Sequence, residues 1–378
     1  MQFQTIGRKH RMIFIMYAAF ILLWVVVALS FRIYGNRHLS NLQDVPLVEE
    51  AVTADRDPLE IGIFAENFYG FEPAHETFKA DGWIWLIWSP RLQAVLAKHG
   101  LTPEQIIHFT NLVEDWDSRV EPGIEKIMRL PDGRHYQKFR FSGYFNVNGI
   151  DYRKYPFQSL SLPISIELSD IVTSIDQNRV LLVPDRAHSG VGDYIGVSGY
   201  LYDGFEVMSG LHVYPSSLGL DHSPDVLKRS QVRFKANYQK SPSTTFIKLL
   251  LPVLMVMALT LFSPSISVTG WDVRVGIPPT ALLSLIFLQE GYRGNLPELA
   301  YLTYLDMIYN LCYLMNLILF GLFLWGSNVY DSAKEEDRPA VIAFIEKIDH
   351  RFQVGLICFV LISLVANWLS ITRPFTGG

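Results

Sequence analysis

Cysteine is scarce in this chain of 378 residues, which contains only Cys312 and Cys358. Both cysteines lie within apolar runs, where a thiol behaves as a small hydrophobic side chain. The polar region that precedes Lys240 therefore has no disulfide available to stabilise it. Two thiols in apolar runs do not indicate in which redox compartment the protein works.

Charge is also scarce, because Asp, Glu, Lys and Arg make up only 18% of the residues. Hydrophobic residues make up 49%, and they are concentrated in long runs, which predicts an integral membrane protein. The net charge of -5 and the pI near 6.1 provide no basic field for nucleic acid. We therefore expect membrane lipids as partners and no binding of nucleic acid.

Short catalytic motifs are missing from the sequence. It contains no HExxH, GxSxG, glycine-rich phosphate loop or CxxC pair. His188, His212 and His222 are not spaced as the ligands of a metal site. We expect no enzymatic activity, no cofactor and no bound metal.

The N-terminal segment, residues 1–32, predicts a membrane anchor. Arg8, Lys9 and Arg11 precede an apolar run over residues 12–30, which is longer than the core of a typical signal peptide. A cleaved signal peptide is the alternative, since it shares the basic start. In both cases the positive-inside rule places the chain beyond Arg32 outside the cytoplasm.

Residues 41–240 predict an extracytoplasmic domain rich in β-strands. No apolar run in this region reaches spanning length, and short alternating segments recur between turn residues. Their regular spacing predicts an immunoglobulin-like sandwich. One helix is expected at 101–111, with Thr102 as cap and Pro103 in the first turn. The predicted strands are 60–65, 83–88, 136–146, 159–168, 179–183, 204–214 and 231–238.

Residues 243–372 predict an all-α membrane domain with four spans, at 246–262, 276–290, 300–325 and 354–371. Between the last two spans, residues 327–352 alternate apolar and charged positions and predict a cytoplasmic amphipathic helix. A simple linker helix is the alternative reading of that insert.

The second span carries one stripe of residues that recur at intervals of three or four, which is helical spacing. The stripe has an acidic residue near each end and apolar residues in its outer half. An ordinary span in which Leu283 and Phe287 face lipid or the protein core is the plainer interpretation. The stripe consists of Asp272, Gly276, Thr280, Leu283, Phe287 and Glu290.

Three segments together resemble the pentameric ligand-gated ion channels. The first is EIGIFAENFYGFEPAHETFKADGWIWLIWSPRL, which is similar to the first two strands of the outer domain. The second contains the Tyr155-Pro156-Phe157 turn and is similar to the signature loop. The third runs from Val273 to Thr303 and is similar to the pore helix, its linker Leu296-Pro297 and the start of the third helix.

Departures from the family pattern point to a prokaryotic type. Gln158 stands where the family has an aspartate, and the two loop cysteines of animal members would fall near Asn148 and Leu162. Prokaryotic members generally lack that disulfide. The resemblance therefore implies the inner membrane of a bacterium, with the β domain on the extracytoplasmic side.

The resemblance implies a homopentamer in which the stripe of the second span lines a pore. Rings of Asp272 and Glu290 would concentrate cations, and Thr280 would replace part of the hydration shell of an ion. Rings of Leu283 and Phe287 would form an apolar gate. Coupling to the outer domain is expected through Tyr155, Pro156, Phe157, Lys240, Leu296 and Pro297.

Pro278 and Pro279 weigh against a regular pore helix, because proline removes backbone donors and clashes with the preceding turn. A helix that began at Pro278 would be only about 20 Å long, short of the hydrocarbon core of about 30 Å. We therefore expect an irregular inner end. A receptor or scaffold that keeps the channel fold but does not conduct is the alternative function.

The ligand is less well indicated. Trp83 matches the aromatic position that the family places on the complementary strand, and a quaternary amine would need such aromatic faces. Asp221 and His222 lie near the tip of the loop that would close over a ligand. Protons, divalent ions and other small molecules also fit, with monovalent cations as the permeant ions. The tyrosines expected to border that loop are Tyr200, Tyr202 and Tyr214.

Overall fold

The chain forms two compact units in the computed structural model. One unit contains Asp151–Gln158 and the chain from Pro242 onward, and the other contains the strands on either side of that loop. The anchor predicted at residues 1–32 lies outside the described residues except for helical positions Ala18, Leu22 and Val25. The structure otherwise describes residues 47–48, 56–113, 119–123, 126–147, 149–175, 179–216, 227–294 and 296–372.

The unit that contains the strands is called the sheet unit, and the other is called the helical unit. In the described part of the sheet unit, eleven strands form two sheets. The larger sheet has the order β4-β6-β2-β1-β8, with β5 beside β6 and β9 beside β1, and the smaller has the order β10-β11-β7-β3. The strands are β1 (Asp57–Glu72), β2 (Thr77–Trp88), β3 (Ile107–Phe109), β4 (Arg119–Pro122), β5 (Met128–Arg129), β6 (His135–Asn146), β7 (Ser159–Leu168), β8 (Val180–Pro184), β9 (Gly190–Tyr194), β10 (Leu201–Val213) and β11 (Lys228–Gln239).

Alternating burial explains why these segments are strands. On β2 nearly every second residue is buried, and on β7 Leu160, Leu162, Ile164 and Ile166 point to one buried face. The two sheets face each other, since the ring of Phe109 lies 5.4 Å from the ring of Phe145, centroid to centroid. The predicted sandwich and all seven predicted strands are confirmed.

The prediction of a helix at 101–111 is wrong. A short 3₁₀ turn, Pro103–Ile106, is followed directly by β3, which pairs Ile107 with Leu168 and Phe109 with Ile166 of β7. The open edge of β7 satisfies the backbone of this segment better than a helix would. Two helices of this unit were not expected, α1 (Pro90–His99) and the short α2 (Asp170–Ile175).

Helix α1 has a complete set of end signals. The Ser89 hydroxyl accepts a hydrogen bond from the Leu92 amide at 3.1 Å, and Pro90 occupies the first turn. Gly100 ends the helix at φ +66°, which a glycine adopts without strain.

The helical unit contains, among its described residues, four helices that are long and apolar enough to cross a membrane. They are α3 (Pro242–Ser265), α4 (Trp271–Arg293), α5 (Tyr304–Asp331) and α6 (Arg338–Thr372). Helix α3 includes one π-helical turn, Phe246–Leu250. Helix α5 is buried on most of its sides, with Leu305, Cys312, Leu319 and Phe323 fully enclosed, so it lies at the centre of this unit.

Two expectations for the helices are corrected. Helix α4 continues through Pro278 and Pro279 for 23 residues, so it is about 34 Å long and spans a hydrocarbon core of about 30 Å. The predicted irregular inner end is therefore absent from α4 as described. The predicted insert 327–352 is not a separate element either, because Asp331 ends α5 and Arg338 begins a helix that continues to Thr372.

Candidate pore helix and coupling cluster

Helix α4 presents two opposite stripes to its surroundings. The buried stripe packs against the other helices and consists of Arg274, Pro278, Ala281, Leu285, Gln289 and Tyr292. The stripe predicted to line a pore lies on the other side of the helix, and all six of its residues are exposed in the single chain: Asp272, Gly276, Thr280, Leu283, Phe287 and Glu290. Among the described residues, nothing in the chain covers this continuous face of the helix.

This exposed stripe has polar ends and an apolar outer half. Asp272 and Glu290 are 18 residues apart, or about 27 Å along the helix axis. Leu283 is 54% exposed and Phe287 is 69% exposed, although most large apolar side chains on a packed helix would be covered. A second molecule, a lumen or lipid must account for these side chains.

Hydroxyl groups on α4 are oriented by the helix itself. The Thr280 hydroxyl donates to the Gly276 carbonyl at 2.8 Å, and the Ser284 hydroxyl donates to the Thr280 carbonyl at 3.0 Å. A threonine that has given its proton to the backbone presents only lone pairs to its other neighbours. Thr280 therefore offers an acceptor, which suits a cation.

The N-terminal end of α4 is held by a buried ion pair. The guanidinium of Arg274 donates to the Asp349 carboxylate on α6 at 2.5 Å, and both side chains are buried. The same guanidinium lies 4.6 Å from the ring centroid of Phe323 and 5.2 Å from that of Trp271. This pair ties the start of α4 to α6.

The outer end of α4 is held by a polar cluster around Asp306 of α5. Its carboxylate accepts hydrogen bonds from the Tyr292 hydroxyl, from the Thr303 hydroxyl at 2.8 Å and from the Thr303 amide at 3.0 Å. Arg293 approaches the same carboxylate at 3.3 Å. Asp306 thus joins the last turn of α4 to the first turn of α5.

The Tyr155-Pro156-Phe157 turn lies in the helical unit and contacts this outer end. Its Tyr155 carbonyl accepts a hydrogen bond from the Leu305 amide at 3.2 Å, and its Tyr155 ring stacks on Tyr292 at 5.8 Å. The Phe157 ring meets Trp368 of α6 edge to face at 5.7 Å. Burial, with a smaller effect of the nearby Asp306 charge, raises the pKa of Tyr155 to about 12.

The other residues expected to couple the domains fall in two places. Leu296 packs against the core of the helical unit, and its amide donates to the Arg293 carbonyl at 3.1 Å. Pro297 follows it and is half-buried. Lys240 belongs to the sheet unit, where its ammonium lies 5.2 Å from the ring centroid of Tyr200 and where burial lowers its pKa.

Trp83 on β2 already has cations against its ring. The Lys138 ammonium lies 4.2 Å from the ring centroid, and the Arg140 guanidinium lies 5.1 Å from it. The indole N–H donates to Glu66 at 3.0 Å. A quaternary amine would have to displace these side chains, so this ring is a poor candidate for an open aromatic box.

The three candidate tyrosines are not grouped around one loop. Tyr202 lies at the start of β10 and Tyr214 follows its end, so about 40 Å of extended chain separates them. Tyr200 lies beside the same start, against Phe71 and Lys240. Only Tyr214 borders the connection between β10 and β11, whose predicted tip at Asp221 and His222 lies outside the described residues.

Tyr214 belongs to a cluster that the sequence interpretation missed. Its hydroxyl donates to the fully buried Glu167 carboxylate at 2.7 Å, and the Gln231 amide donates to it at 2.7 Å. His212 Nδ1 lies 2.5 Å from Oε1 of this carboxylate, the same oxygen to which Gln231 donates. Burial and the bond to Glu167 raise the pKa of Tyr214. The available signal was a single charge within the otherwise uncharged β7.

A comparison with curated proteins identifies a relative over most of the chain. The chain is 24% identical over 334 residues to a proton-gated ion channel from Gloeobacter violaceus, a match that covers 85% of this chain and 83% of the relative. The resemblance to prokaryotic pentameric ligand-gated ion channels is confirmed. No protein-family model matches the chain.

The relationship settles the class of protein at a coarse level. A β-sheet unit followed by four apolar helices, in a relative of an ion channel, is a membrane protein with the fold of a ligand-gated channel. The relative is a channel and not an enzyme, which fits the expectation of no catalytic activity. Within the described residues, no group of three His, Cys, Asp or Glu side chains could hold a metal ion.

Proposed function

We propose that the chain is one subunit of a homopentameric, cation-selective channel that protons open by acting on the β-sheet unit. The pore is lined by the exposed stripe of α4. The protein lies in the inner membrane of a bacterium with its sheet unit outside the cytoplasm, as the basic N-terminal residues favour.

The observation that carries this proposal is the match between the predicted pore stripe and the unpartnered face of α4. The six residues predicted from helical spacing and resemblance are all exposed, and the residues opposite them are buried. One lining helix cannot enclose a pore, so several copies must contribute one each. In that assembly the exposed stripe faces a shared aqueous axis.

Charge and hydrogen bonding on the stripe favour cations. Rings of Asp272 and Glu290 carboxylates at the two mouths raise the local cation concentration and repel anions. Between them, Thr280 presents acceptor lone pairs because its proton is donated to Gly276. Leu283 and Phe287 form the narrow apolar section that closes the pore by excluding water.

Coupling runs through the Tyr155 turn. A proton that binds the open and closed states with different affinity shifts the population between them. The turn follows β6 and precedes β7, and it touches α4 through Tyr292 and α5 through Leu305. Movement of these strands reaches the last turn of the pore helix through this contact. Protons are chosen as the ligand because the relative is named for proton gating.

The test is current recording from the purified full-length protein in planar bilayers while the outer solution is stepped from neutral to acidic pH. The proposal predicts acid-evoked current whose reversal potential follows the gradient of monovalent cations. Asp272→Asn should move the reversal potential toward that of chloride, and Asp331→Asn, an exposed aspartate at the end of α5, is the matched control.

Two results would count against the proposal. A wild-type current that reverses at the chloride potential would refute cation selectivity. Absence of current at every pH, from protein that reconstitutes as a pentamer, would favour the alternative of a non-conducting receptor or scaffold. The paired prolines had favoured that alternative, but α4 is helical through both of them.

A further inference from the structure

The polar face of the smaller sheet contains a buried cluster centred on Glu167 of β7. Glu167 is 0% exposed, and its carboxylate contacts His212 Nδ1 at 2.5 Å, the Tyr214 hydroxyl at 2.7 Å and the Gln231 amide at 2.7 Å. Carboxylates are seldom buried unless they are paired. Three strands and the start of the β10–β11 connection therefore converge on one titratable group.

The geometry determines which atoms carry protons. An ionised carboxylate only accepts hydrogen bonds, so Nδ1 of His212 must be protonated where it meets Glu167. The remaining ring nitrogen, Nε2, is then the basic atom of the imidazole. His212 is half-buried rather than enclosed, so solvent protons can reach it.

Charged or titratable side chains approach the cluster from β11, α2 and β3. Arg229 of β11 is paired with His212 in the strand register and bonds to Asp170 of α2. Arg233 donates to the Gln231 side chain at 2.8 Å, and His108 of β3 is paired with Glu167 in the register. A new positive charge on His212 is therefore attracted by Glu167 and repelled by Arg229.

We propose that Glu167, His212 and Tyr214 form a proton-binding site in the sheet unit, with Nε2 of His212 as the atom that takes up the proton. This inference rests on the proposed function and names where the gating proton acts. The product is a half-buried imidazolium held against the buried Glu167 carboxylate. No bond between heavy atoms is made or broken, and the proton comes from the outer solution.

Proton uptake at this position acts on the hairpin of β10 and β11. The Tyr214 amide donates to the Leu227 carbonyl at 2.8 Å, which is the last described rung before the connection between these strands. A charge on His212 strengthens its bond to Glu167 and pushes Arg229 toward Asp170. The stronger His212–Glu167 bond acts on the end of β10. The shift of Arg229 toward Asp170 acts on the segment that follows β7.

A second histidine–carboxylate pair provides the comparison. His188 Nδ1 lies 2.9 Å from Asp185, but the His188 side chain is 78% exposed and the two residues are three apart in sequence. Water and salt screen that pair, so its protonation does little to the surrounding fold. His188→Gln is therefore the matched control for His212→Gln.

The experiment measures the pH of half-maximal current from the full-length protein in bilayers. His212→Gln removes the basic atom, and Glu167→Gln removes the charge that holds the proton. Each variant should therefore need about a tenfold higher proton concentration for half-maximal current. The double variant should shift no further than the larger single shift, because both changes remove one site. His188→Gln should match the wild type.

Tyr214→Phe separates a proton site from a merely structural cluster. The Tyr214 hydroxyl competes with the imidazolium for the Glu167 carboxylate. Loss of this hydroxyl should therefore lower the proton concentration for half-maximal current by about threefold. A purely structural role would shift all three variants in the same direction. This variant also decides the case if the two glutamine variants fail to assemble, because an unchanged or opposite shift in Tyr214→Phe would overturn the proposal.

Hydrogen exchange of the full-length protein gives a readout that does not depend on current. Between about pH 8 and about pH 5, after correction for intrinsic exchange rates, protection at 208–216 and 227–233 should change in the wild type and not in His212→Gln. If the wild type shows that change but carries no acid-evoked current, the proposed function fails and the proton site stands. If current is acid-evoked and the variants at 167 and 212 behave as the wild type does, the site is refuted and the proposed function stands.

Discussion

The ring of Tyr155 lies nearly parallel on the ring of Tyr292, with 5.8 Å between their centroids and 24° between their planes. Tyr292 in turn stacks on Tyr309 of α5 at 5.4 Å, and its hydroxyl donates to Asp306. Tyr155, α4 and α5 are therefore joined by one run of aromatic contacts. Rigid contacts of this kind transmit displacement because packed side chains have few alternative arrangements.

We predict energetic coupling between Tyr155 and Tyr292. Stacked aromatic pairs contribute about 0.5–1.5 kcal/mol beyond their buried area, so Tyr155→Leu and Tyr292→Leu should have non-additive effects on the pH of half-maximal current. A double-mutant cycle measures the difference. Tyr194→Leu, which changes a tyrosine that is 77% exposed on β9, is the control. Additive effects within about 0.3 kcal/mol would mean that the stack does not couple the loop to the pore.

Alkaline pH should destabilise the protein through Tyr155. Its pKa is about 12 in the folded protein because it is buried, whereas an unfolded tyrosine ionises near 10. The stabilising contribution is complete below pH 10 and is lost as the pH rises toward 12, because the unfolded chain releases its proton first. The wild type should lose of order 2 kcal/mol more than Tyr155→Phe across this window. Equal pH dependence of thermal unfolding for the two proteins would contradict this account, and Tyr194→Phe is the control.

Breaking the buried pair at the inner end of α4 should be costly. Asp349→Asn leaves the charge of Arg274 buried without its counterion, which typically destabilises by about 3–5 kcal/mol. Arg274→Met combined with Asp349→Leu should recover much of that loss, since no charge is then buried. Glu335→Gln, in an exposed pair with Arg338 at 3.7 Å, should change stability by less than about 1 kcal/mol. Thermal unfolding in detergent ranks the variants, and a double variant less stable than Asp349→Asn would contradict the prediction.

Polar substitution at the proposed gate should ease opening. Leu283→Thr places hydroxyls in the proposed apolar section, which lowers the free energy of hydrating it and favours the open state. The channel should then open at a less acidic pH or conduct at neutral pH. Leu282→Thr changes the neighbouring exposed leucine, which lies off the stripe, and should have little effect. If both variants open at the same pH, Leu283 does not form part of the gate.

Strand periodicity and apolar run length predicted most of this fold from the sequence. Ser159–Leu168 was predicted with its observed bounds because its alternation is regular and one of its faces is fully buried. The segment 101–111 was misread because Pro103 suits the first turn of a helix, while pairing with β7 is a long-range contact that local pattern does not show. Helix α1 could have been found from Ser89, Pro90 and Gly100.

The pore stripe could be proposed from spacing and resemblance, but the clusters that hold it could not. Arg274 and Asp349 are 75 positions apart, and Glu167 and His212 are 45 apart, so only the folded chain brings each pair together. The irregular helix end predicted from Pro278 and Pro279 is wrong, since a helix inside a membrane tolerates proline when its neighbours support the backbone. The Thr303-x-x-Asp306 capping pattern was visible in the sequence and marks the start of α5.

Leu283 and Leu285 distinguish a helix that lines an aqueous pore with one face from an ordinary membrane span. They lie on opposite sides of the helix, one 54% exposed and the other fully buried. In a Cys358→Ser background, which removes the exposed native cysteine, each leucine is replaced by cysteine and treated with a charged thiol reagent during recording. The account predicts that the reagent blocks current through Leu283→Cys and leaves Leu285→Cys unaffected. Block at Leu285→Cys, or none at Leu283→Cys, would contradict it.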